Sequence, residues 1–257
     1  MIPKYTIKPF PPIRRATIDL LEASSQKHII HGLIEVDVTY TREKLRKIRR
    51  ELNKEISLSS YVIYCVAKAV ESDPSIQAYR DRHNQLYLFN EVDISTPIER
   101  FNNDGVTIVP IIIRAANQKT PFDIHNEIET ARNQPATEVG VQSTMRFYLL
   151  LPGFVKRLFF RFMDRHPIQM KKMGGTVMVS CLNMFGAGVG WGVPVASHTL
   201  NLTLGGIVVK PQLVKEKLEN HEFLCLTVSV DHDLVDGAPM TRLITRFKKI
   251  LEKADDL

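Results

Sequence analysis

One histidine in the carboxyl-terminal part of the chain is placed where it could move protons. Residues 224–230, LCLTVSV, alternate in the manner of a buried strand, and His232 follows just beyond that run. Asp236 and Gly237 come four and five residues later. Imidazole accepts and returns a proton near neutral pH, and a nearby carboxylate can fix which ring nitrogen is free. The spacing therefore suits a general base on a rigid strand end, with Gly237 permitting a tight exit that Asp236 helps to hold.

The same residues also fit an ordinary strand-to-helix turn. Asp231 and Asp233 flank His232, and aspartates are frequent turn formers and helix caps. Pro239 and the apolar spacing beyond it predict an amphipathic helix with the apolar positions Leu243, Ile244, Phe247, Ile250 and Leu251. Few fixed positions make a weak motif, so the residues alone leave both interpretations open.

Residues 231–238, DHDLVDGA, resemble the DHRxxDGA signature of the acyltransferase (E2) catalytic domains of 2-oxo acid dehydrogenase complexes. They are more remotely similar to the HHxxxDG of chloramphenicol acetyltransferase and peptide-synthetase condensation domains, and the aspartate before the histidine favours the first family. Asp233 stands where that family normally carries arginine. A carboxylate that reached His232 would favour the imidazolium and weaken the base. Since consecutive residues of an extended stretch face opposite sides, we expect Asp233 to point away.

Further segments are similar to this family in the same order along almost the whole chain. They are EVDVT at 35–39, VDI at 92–94, GVTIVP at 105–110 and GGTVMVSCLNMFG at 174–186, the last similar to the family's GGTFTISNLGMFG. The resemblance makes Ser180 a hydrogen-bond donor to the oxyanion of a tetrahedral intermediate. Without the family, Ser180 is a serine in a buried strand.

The remaining hydrophobic patterns predict an α/β fold. Helices are expected at residues 13–25, 41–55, 58–72 and 124–132, and strands at 29–39, 86–89, 93–98 and 106–113. The helix at 58–72 is apolar all round and should be buried against a sheet. The resemblance implies a two-layer sandwich with a mixed β-sheet of the chloramphenicol acetyltransferase class, formed by one domain over residues 1–257.

Residues 143–172 form an insertion relative to the usual E2 connection. Its stretch MRFYLLLPGFVKRLFFRFMDRHP sets basic residues among phenylalanines and leucines, and Pro152-Gly153 should break it into two short helices. One interpretation is a basic amphipathic segment on an anionic membrane surface or against a partner helix. The other is a hydrophobic hairpin packed on the oligomer surface or over the active-site channel.

Two segments follow the 174–186 match: a glycine-rich one and one that differs from the family's usual sequence. Residues 186–194, GAGVGWGVP, are rich in glycine and hold Trp191, but lack the lysine and threonine of a phosphate-binding P-loop. We expect a flexible loop that lines the acyl pocket. Residues 196–199, ASHT, replace the Pro-Pro-Gln-like stretch usual in the family, so the usual substrate contacts are not carried over.

The charge of the chain favours an anionic partner. The net charge is +6 and the pI is about 9.2, which suits nucleic acid, a membrane surface or a phosphorylated cofactor such as coenzyme A. No nucleic-acid motif is present, so nucleic acid is disfavoured. The basic residues of the 41–55 helix are either a solvated face or a phosphate contact.

The cysteines and the amino-terminal segment indicate in which cellular compartment the protein is expected. Cys65, Cys181 and Cys225 lie far apart in apolar runs, which predicts buried thiols rather than a disulfide frame or a metal site. The amino-terminal segment lacks the pattern of a signal peptide, and no apolar run is long enough to span a bilayer. A cytoplasmic protein is therefore expected.

The resemblance implies an enzyme that moves an acyl group between coenzyme A and a thiol, hydroxyl or amine acceptor. It also implies a homotrimer whose active sites lie between subunits, with His232 from one chain and Ser180 from its neighbour. His232 would remove the proton from the attacking group and Ser180 would stabilise the oxyanion. Asp236 would hold the turn that presents the base, paired with Arg14 or Arg15.

Full E2 chains carry an amino-terminal lipoyl domain, whereas this sequence begins almost directly at the catalytic domain. We therefore expect no covalent lipoyl group on this chain. The acyl donor would arrive as a coenzyme A thioester or on a separate lipoyl or acyl-carrier protein. Two alternatives remain: a non-catalytic assembly or membrane-associated module that retains the fold, and an E2 core that works with a lipoyl domain on another chain.

Overall fold

A computed structural model describes residues 5–8, 10, 12–102, 105–134, 153–181 and 190–257 of the chain. The helices are α1 Pro12–Ser24, α2 Thr39–Leu52, α3 Leu58–Glu71, α4 Pro121–Asn133, α5 Gly153–Asp164, α6 Pro167–Gly174 and α7 Gly237–Lys253. The strands are β1 Ile29–Asp37, β2 Tyr79–Arg80, β3 Leu86–Tyr87, β4 Ile94–Asn102, β5 Gly105–Ile113, β6 Val177–Cys181, β7 Leu200–Val214 and β8 Lys217–Asp231. Short 3-10 helices lie at Pro74–Gln77 and Ala116–Gln118.

Six of the strands form one mixed sheet, in the order β1-β8-β7-β6-β4-β5. Strand β6 runs parallel to both β7 and β4, and the other neighbouring pairs are antiparallel. Strands β2 and β3 form a separate small hairpin. The α/β fold with a mixed sheet, expected from the sequence, is confirmed.

One face of the sheet carries the hydrophobic core. Because side chains alternate between the faces of a strand, residues paired across neighbouring strands share a face. Helix α3 packs against α7 and α4 and is buried along most of its length, as predicted for the 58–72 segment. One row of the core face consists of Ile30, Val230, Leu200, Val177, Ile94 and Ile113, and it belongs to the same buried cluster as α3.

The opposite face of the sheet is polar although it is largely buried. Ser229, Asn201 and Ser95 lie in one row of that face, each less than 5% exposed. The next row contains Thr227 and Thr203, which are 0% and 2% exposed. Ser180 of β6, to which the family resemblance gives a catalytic role, lies on this polar face.

Helices α1, α5 and α6 form a second group, in which α5 contacts both others. Lys156 of α5 is 6% exposed, and its Nζ lies 3.6 Å from Asp19 Oδ2 of α1. The first short helix predicted for the insertion lies outside the described residues, whereas the second corresponds to α5. None of the helices in the described ranges is both long and apolar enough to cross a membrane.

Several elements, β7 and α6 among them, were not predicted from the sequence. Strand β7 pairs with β8 along almost its whole length, so the strand predicted at 224–230 is the second half of a much longer β8. Helix α6 begins inside the predicted insertion and ends two residues beyond it. Among the cysteines, Cys65 and Cys225 are buried as expected, Cys181 is only partly buried, and none of the three forms a disulfide in the described part of the chain.

Candidate active site

The turn that carries His232 is held by main-chain hydrogen bonds. Strand β8 ends at Asp231, whose N–H donates to the Thr199 carbonyl at 3.0 Å. The Asp231 carbonyl accepts from the N–H groups of Leu234 and Val235 at 3.0 and 2.9 Å. The His232 N–H donates to the His28 carbonyl, just before β1, at 2.7 Å. His232 therefore leaves the sheet at a defined position, with its side chain 46% exposed.

Asp236 is the acidic neighbour of the His232 ring. Its Oδ1 lies 3.5 Å from His232 Nδ1, and its side chain is 81% exposed. At this distance the contact is an electrostatic one rather than a strong hydrogen bond. It directs Nδ1 toward the carboxylate and leaves Nε2 as the nitrogen that can accept a proton.

The predicted pairing of Asp236 with Arg14 or Arg15 is wrong for a single chain. Among the ion pairs of the described residues, Asp236 pairs with His232 and with neither arginine. Both arginines are exposed on α1, which packs against α5. Asp236 is the residue before α7, and its carbonyl accepts the Met240 N–H at 3.2 Å, but its side chain makes no capping hydrogen bond.

Asp233 turns away from the His232 ring, as expected. Its Oδ1 lies 2.9 Å from His28 Nδ1, on the exposed surface beside the start of β1. The replacement of the family's arginine by aspartate therefore places its charge against a second histidine rather than against the candidate base.

Ser180 belongs to a row of hydroxyl groups on the polar face of the sheet. Its Oγ lies 3.1 Å from Thr203 Oγ1 on β7. Thr203 pairs in register with Thr227 of β8, whose buried hydroxyl has no hydrogen-bond partner in the described part of the chain. Thr203 was missed by sequence reasoning, because β7 itself was not predicted and nothing else signals which hydroxyl faces Ser180.

Ser180 and His232 do not meet within one chain. The register Ser180–Thr203–Thr227 puts Ser180 two strands away from β8, level with a residue five positions before His232. At about 3.3 Å per residue and about 4.8 Å per strand, the separation is about 16 Å along the strands and about 10 Å across them. The structure thus brings Asp236 to His232 and leaves Ser180 apart.

His198, which lies near the site, has a structural role. His198, in the 196–199 segment, is 3% exposed; its Nε2 donates to the Gly174 carbonyl at 2.8 Å, and its Nδ1 lies 2.8 Å from Ser197 Oγ. Burial lowers the pKa of His198 to about 4, the positive charge of Lys27 acts in the same direction, and the bond to Gly174 opposes them. His198 is therefore neutral near pH 7 and ties the end of α6 to the start of β7.

The described part of the glycine-rich loop is tied to the sheet. Trp191 Nε1 donates to the Ile34 carbonyl at 2.9 Å, and the Gly206 N–H donates to the Gly190 carbonyl at 2.9 Å. A side chain at Gly205 would collide with the Gly190 carbonyl oxygen, so β7 needs glycine there for the loop to cross it. Residues 182–189 of this region lie outside the described residues, and a role in lining the acyl pocket stays a prediction.

Several of the basic residues of α2 have acidic partners. Arg42 and Arg46 pair with Glu222 of β8 at 2.7 and 3.3 Å, and Arg49 lies 3.4 Å from Glu55. These pairs favour the solvated, structural interpretation of that helix. Within the described ranges, no three His, Cys, Asp or Glu side chains are grouped as a metal ion requires.

The architecture matches solved acyltransferases. A chain from Listeria monocytogenes described as a probable dihydrolipoamide acetyltransferase superposes with a TM-score of 0.70 at 19% identity, over 97% of this chain and 95% of that one. Chloramphenicol acetyltransferase superposes with a TM-score of 0.53 at 10% identity, over 95% of this chain and 99% of that one. The fold is thus of the chloramphenicol acetyltransferase class, which confirms the fold implied by the sequence.

Sequence comparison narrows this class to one family. The profile described as 2-oxoacid dehydrogenases acyltransferase (catalytic domain) matches residues 3–138 and 164–257. The dihydrolipoyllysine-residue acetyltransferase component of the pyruvate dehydrogenase complex from Rickettsia conorii is 23% identical over 257 residues, covering 97% of this chain and 54% of that protein. The chain belongs to the family of 2-oxoacid dehydrogenase acyltransferases and matches its catalytic domain, and it spans about half the length of the curated relatives it matches.

Proposed function

We propose that the chain is an acyltransferase that moves an acyl group between coenzyme A and a dihydrolipoyl-like thiol, with His232 as general base. The observation that carries this proposal is the exposed His232 imidazole, whose Nδ1 faces Asp236 while Nε2 remains available. Membership of an acyltransferase family supports it. A hydroxyl or amine acceptor would use the same base.

In the proposed reaction, His232 Nε2 takes the proton from the acceptor thiol as the sulfur attacks the thioester carbonyl of acyl-coenzyme A. The carbonyl oxygen becomes an oxyanion and accepts a hydrogen bond from the Ser180 hydroxyl, which is worth about 2.7–4 kcal/mol of barrier in comparable sites. Collapse of the intermediate breaks the bond to the coenzyme A sulfur. That sulfur leaves with the proton from His232, so base and hydroxyl return to their starting states.

The proposed site needs a second copy of the chain. Because Ser180 and His232 are separated by about 16 Å along the strands and about 10 Å across them in one chain, the two can serve one reaction only across a subunit interface. A ring in which each chain gives His232 to one neighbour and Ser180 to the other is a heterologous, closed assembly. A homotrimer is the smallest such ring above a dimer, and we propose it here.

Delivery of the acyl group is part of the same proposal. Coenzyme A acts as a substrate, and a dihydrolipoyl or acyl-carrier group on a separate protein is the proposed exchange partner. Residues 1–257 are proposed to form one catalytic domain with an insertion at 143–172, which overlaps the stretch between residues 138 and 164 that the family profile does not match. The cytoplasmic location stays a prediction.

One feature favours a second role for the insertion. Leu158 and Phe162 lie four residues apart on α5 and are 66% and 51% exposed, with Arg165 exposed further along the same face. An apolar strip beside a cation suits an anionic membrane surface. A non-catalytic, membrane-associated module would keep this strip and lack transferase activity.

The proposed function is tested by acetyl transfer from acetyl-coenzyme A to dihydrolipoamide, followed as thioester formation. His232→Gln removes the base while keeping a polar side chain, and should lower kcat by about 10²–10⁴-fold. His83→Gln changes an exposed histidine beside the small hairpin and should leave kcat unchanged. Full activity in His232→Gln would overturn the mechanism, and an inactive wild type that binds anionic vesicles through α5 would favour the membrane-associated module.

A further inference from the structure

A partly buried ion pair involves Asp231, the residue directly before the candidate base. Lys27 Nζ donates to Asp231 Oδ2 at 3.1 Å, and the side chains of Lys27 and Asp231 are 18% and 5% exposed. Lys27 lies between α1 and β1, and the pairing of Ile29 with Asp231 brings it alongside the end of β8. The contact thus joins two segments that are 204 residues apart in sequence.

Asp231 is the centre of the turn that carries His232. Its Oδ1 accepts the Asp233 N–H at 3.2 Å, while its Oδ2 receives Lys27. Its main-chain groups bond to Thr199 on one side and to Leu234 and Val235 on the other. The residues before and after His232 are therefore both fixed through one side chain and its backbone.

The positive charge of Lys27 allows the Asp231 carboxylate to be buried. A carboxylate in a low-dielectric site is strongly unfavourable unless it is paired and hydrogen-bonded. Without the ammonium group, Asp231 would turn toward solvent and release the Asp233 N–H. The turn would then lose the bond that fixes the direction of its exit from β8.

We propose that Lys27 is a positioning residue for His232, acting through Asp231. The proposal rests on the proposed function of His232 as a general base. Lys27 touches neither substrate nor the reacting atoms. It holds the backbone of residues 231–235 so that Nε2 meets the acceptor thiol at the right distance, and small displacements of such a group cost large factors in rate.

The test compares Lys27→Met, which keeps the aliphatic stem and removes the charge, with the wild type. We expect kcat to fall by about tenfold to a hundredfold with the KM for acetyl-coenzyme A nearly unchanged, and amide hydrogen exchange at residues 232–235 to become faster. Lys27→Arg keeps the charge and should recover most of kcat. Lys119→Met removes a more exposed ion pair far along the chain from this turn, with Glu127 on α4, and should move neither kcat nor the exchange at 232–235.

The outcomes separate this proposal from the proposed function. An inactive wild type contradicts the proposed function, and the exchange measurement then decides about Lys27 alone. Unchanged exchange at 232–235, or unchanged kcat in an active enzyme, overturns the positioning role. If Lys27→Met does not fold, Lys27→Met/Asp231→Asn leaves no unpaired charge; wild-type kcat in that variant overturns the proposal, and a reduced kcat supports it.

Discussion

Two histidines near the end of β8 show how burial decides what the same side chain does. His232 lies in a turn, 46% exposed, with Asp236 near one ring nitrogen. His198 is 3% exposed, with both ring nitrogens occupied by Gly174 and Ser197. The first can exchange protons with a ligand, whereas the second can only hold neighbouring segments together.

The buried histidine should make the protein sensitive to acid. The pKa of His198 is lowered by burial from 6.5 to about 4, so between these values the unfolded chain binds a proton that the folded chain does not. Stability is therefore full above about pH 6.5 and falls as the pH drops toward 4, by about 1.4 kcal/mol per pH unit for one proton. Urea unfolding at a series of pH values measures this slope.

Replacing the ring isolates this effect from other titrations. His198→Gln keeps a donor for the Gly174 carbonyl and cannot take up a proton, so the slope between pH 6.5 and 4 should decrease by about one proton. His83→Gln, at an exposed position, should leave the slope as it is in the wild type. Equal slopes in the wild type and His198→Gln would show that His198 is already free to titrate in the folded chain.

At the scale of elements, the turn between β8 and α7 does not depend on Gly237 in the way expected from the sequence. Gly237 is the first residue of α7. It has no positive φ, and a Cβ built on it would meet no atom within 4 Å. The turn between β8 and α7 is closed instead by the bonds to the Asp231 carbonyl. The idea that Gly237 permits a tight exit is therefore wrong.

A substitution at this glycine should stabilise the folded chain. Gly237→Ala should raise the free energy of unfolding by about 0.4–1 kcal/mol, because alanine reduces the entropy of the unfolded chain at no steric cost. Gly175→Ala is the matched control: Gly175 has a φ of +81°, and its Cβ would lie 2.7 Å from the Asp93 carbonyl oxygen, so it should destabilise by about 1–3 kcal/mol. Thermal or urea unfolding measures the stability of both variants. A lower stability of Gly237→Ala than of the wild type would mean that the turn needs glycine.

Local patterns predicted most of the helices and several strands. Helix α3 was evident from its apolar composition, and β5 from its run of branched residues. Strand β7 was missed because it turns into β8 at Lys215 and Glu216, which adopt left-handed φ values of 47° and 65°. Such two-residue turns are usually marked by asparagine or glycine, and here neither is present.

Only part of the candidate site could be predicted from the sequence, because some of its contacts join distant strands. The proximity of Asp236 to His232 follows from four residues of local sequence. The contacts of Ser180 with Thr203, and of Lys27 with Asp231, depend on which strands become neighbours. A single sequence carries no local signal for such long-range pairing.

At the scale of the whole molecule, the strand order keeps Ser180 and His232 of one chain apart. Strand β7 lies between β6, which carries Ser180, and β8, which leads to His232. The distance follows from the sheet itself and cannot be shortened by side-chain rotation. The site proposed above therefore combines the two residues from different copies, each of which keeps its own sheet intact.

Complementation between two inactive variants tests this account most directly. Each of His232→Ala and Ser180→Ala should transfer acetyl groups from acetyl-coenzyme A to dihydrolipoamide at least about 10²-fold more slowly than the wild type. Refolded together in equal amounts, they should recover about a quarter of wild-type activity, since random mixing around a heterologous ring pairs an intact His232 with an intact Ser180 at that frequency. Wild-type chain carried through the same refolding gives the reference activity. A mixture no more active than the sum of the two variants, alongside an active reference, would contradict a site shared between copies.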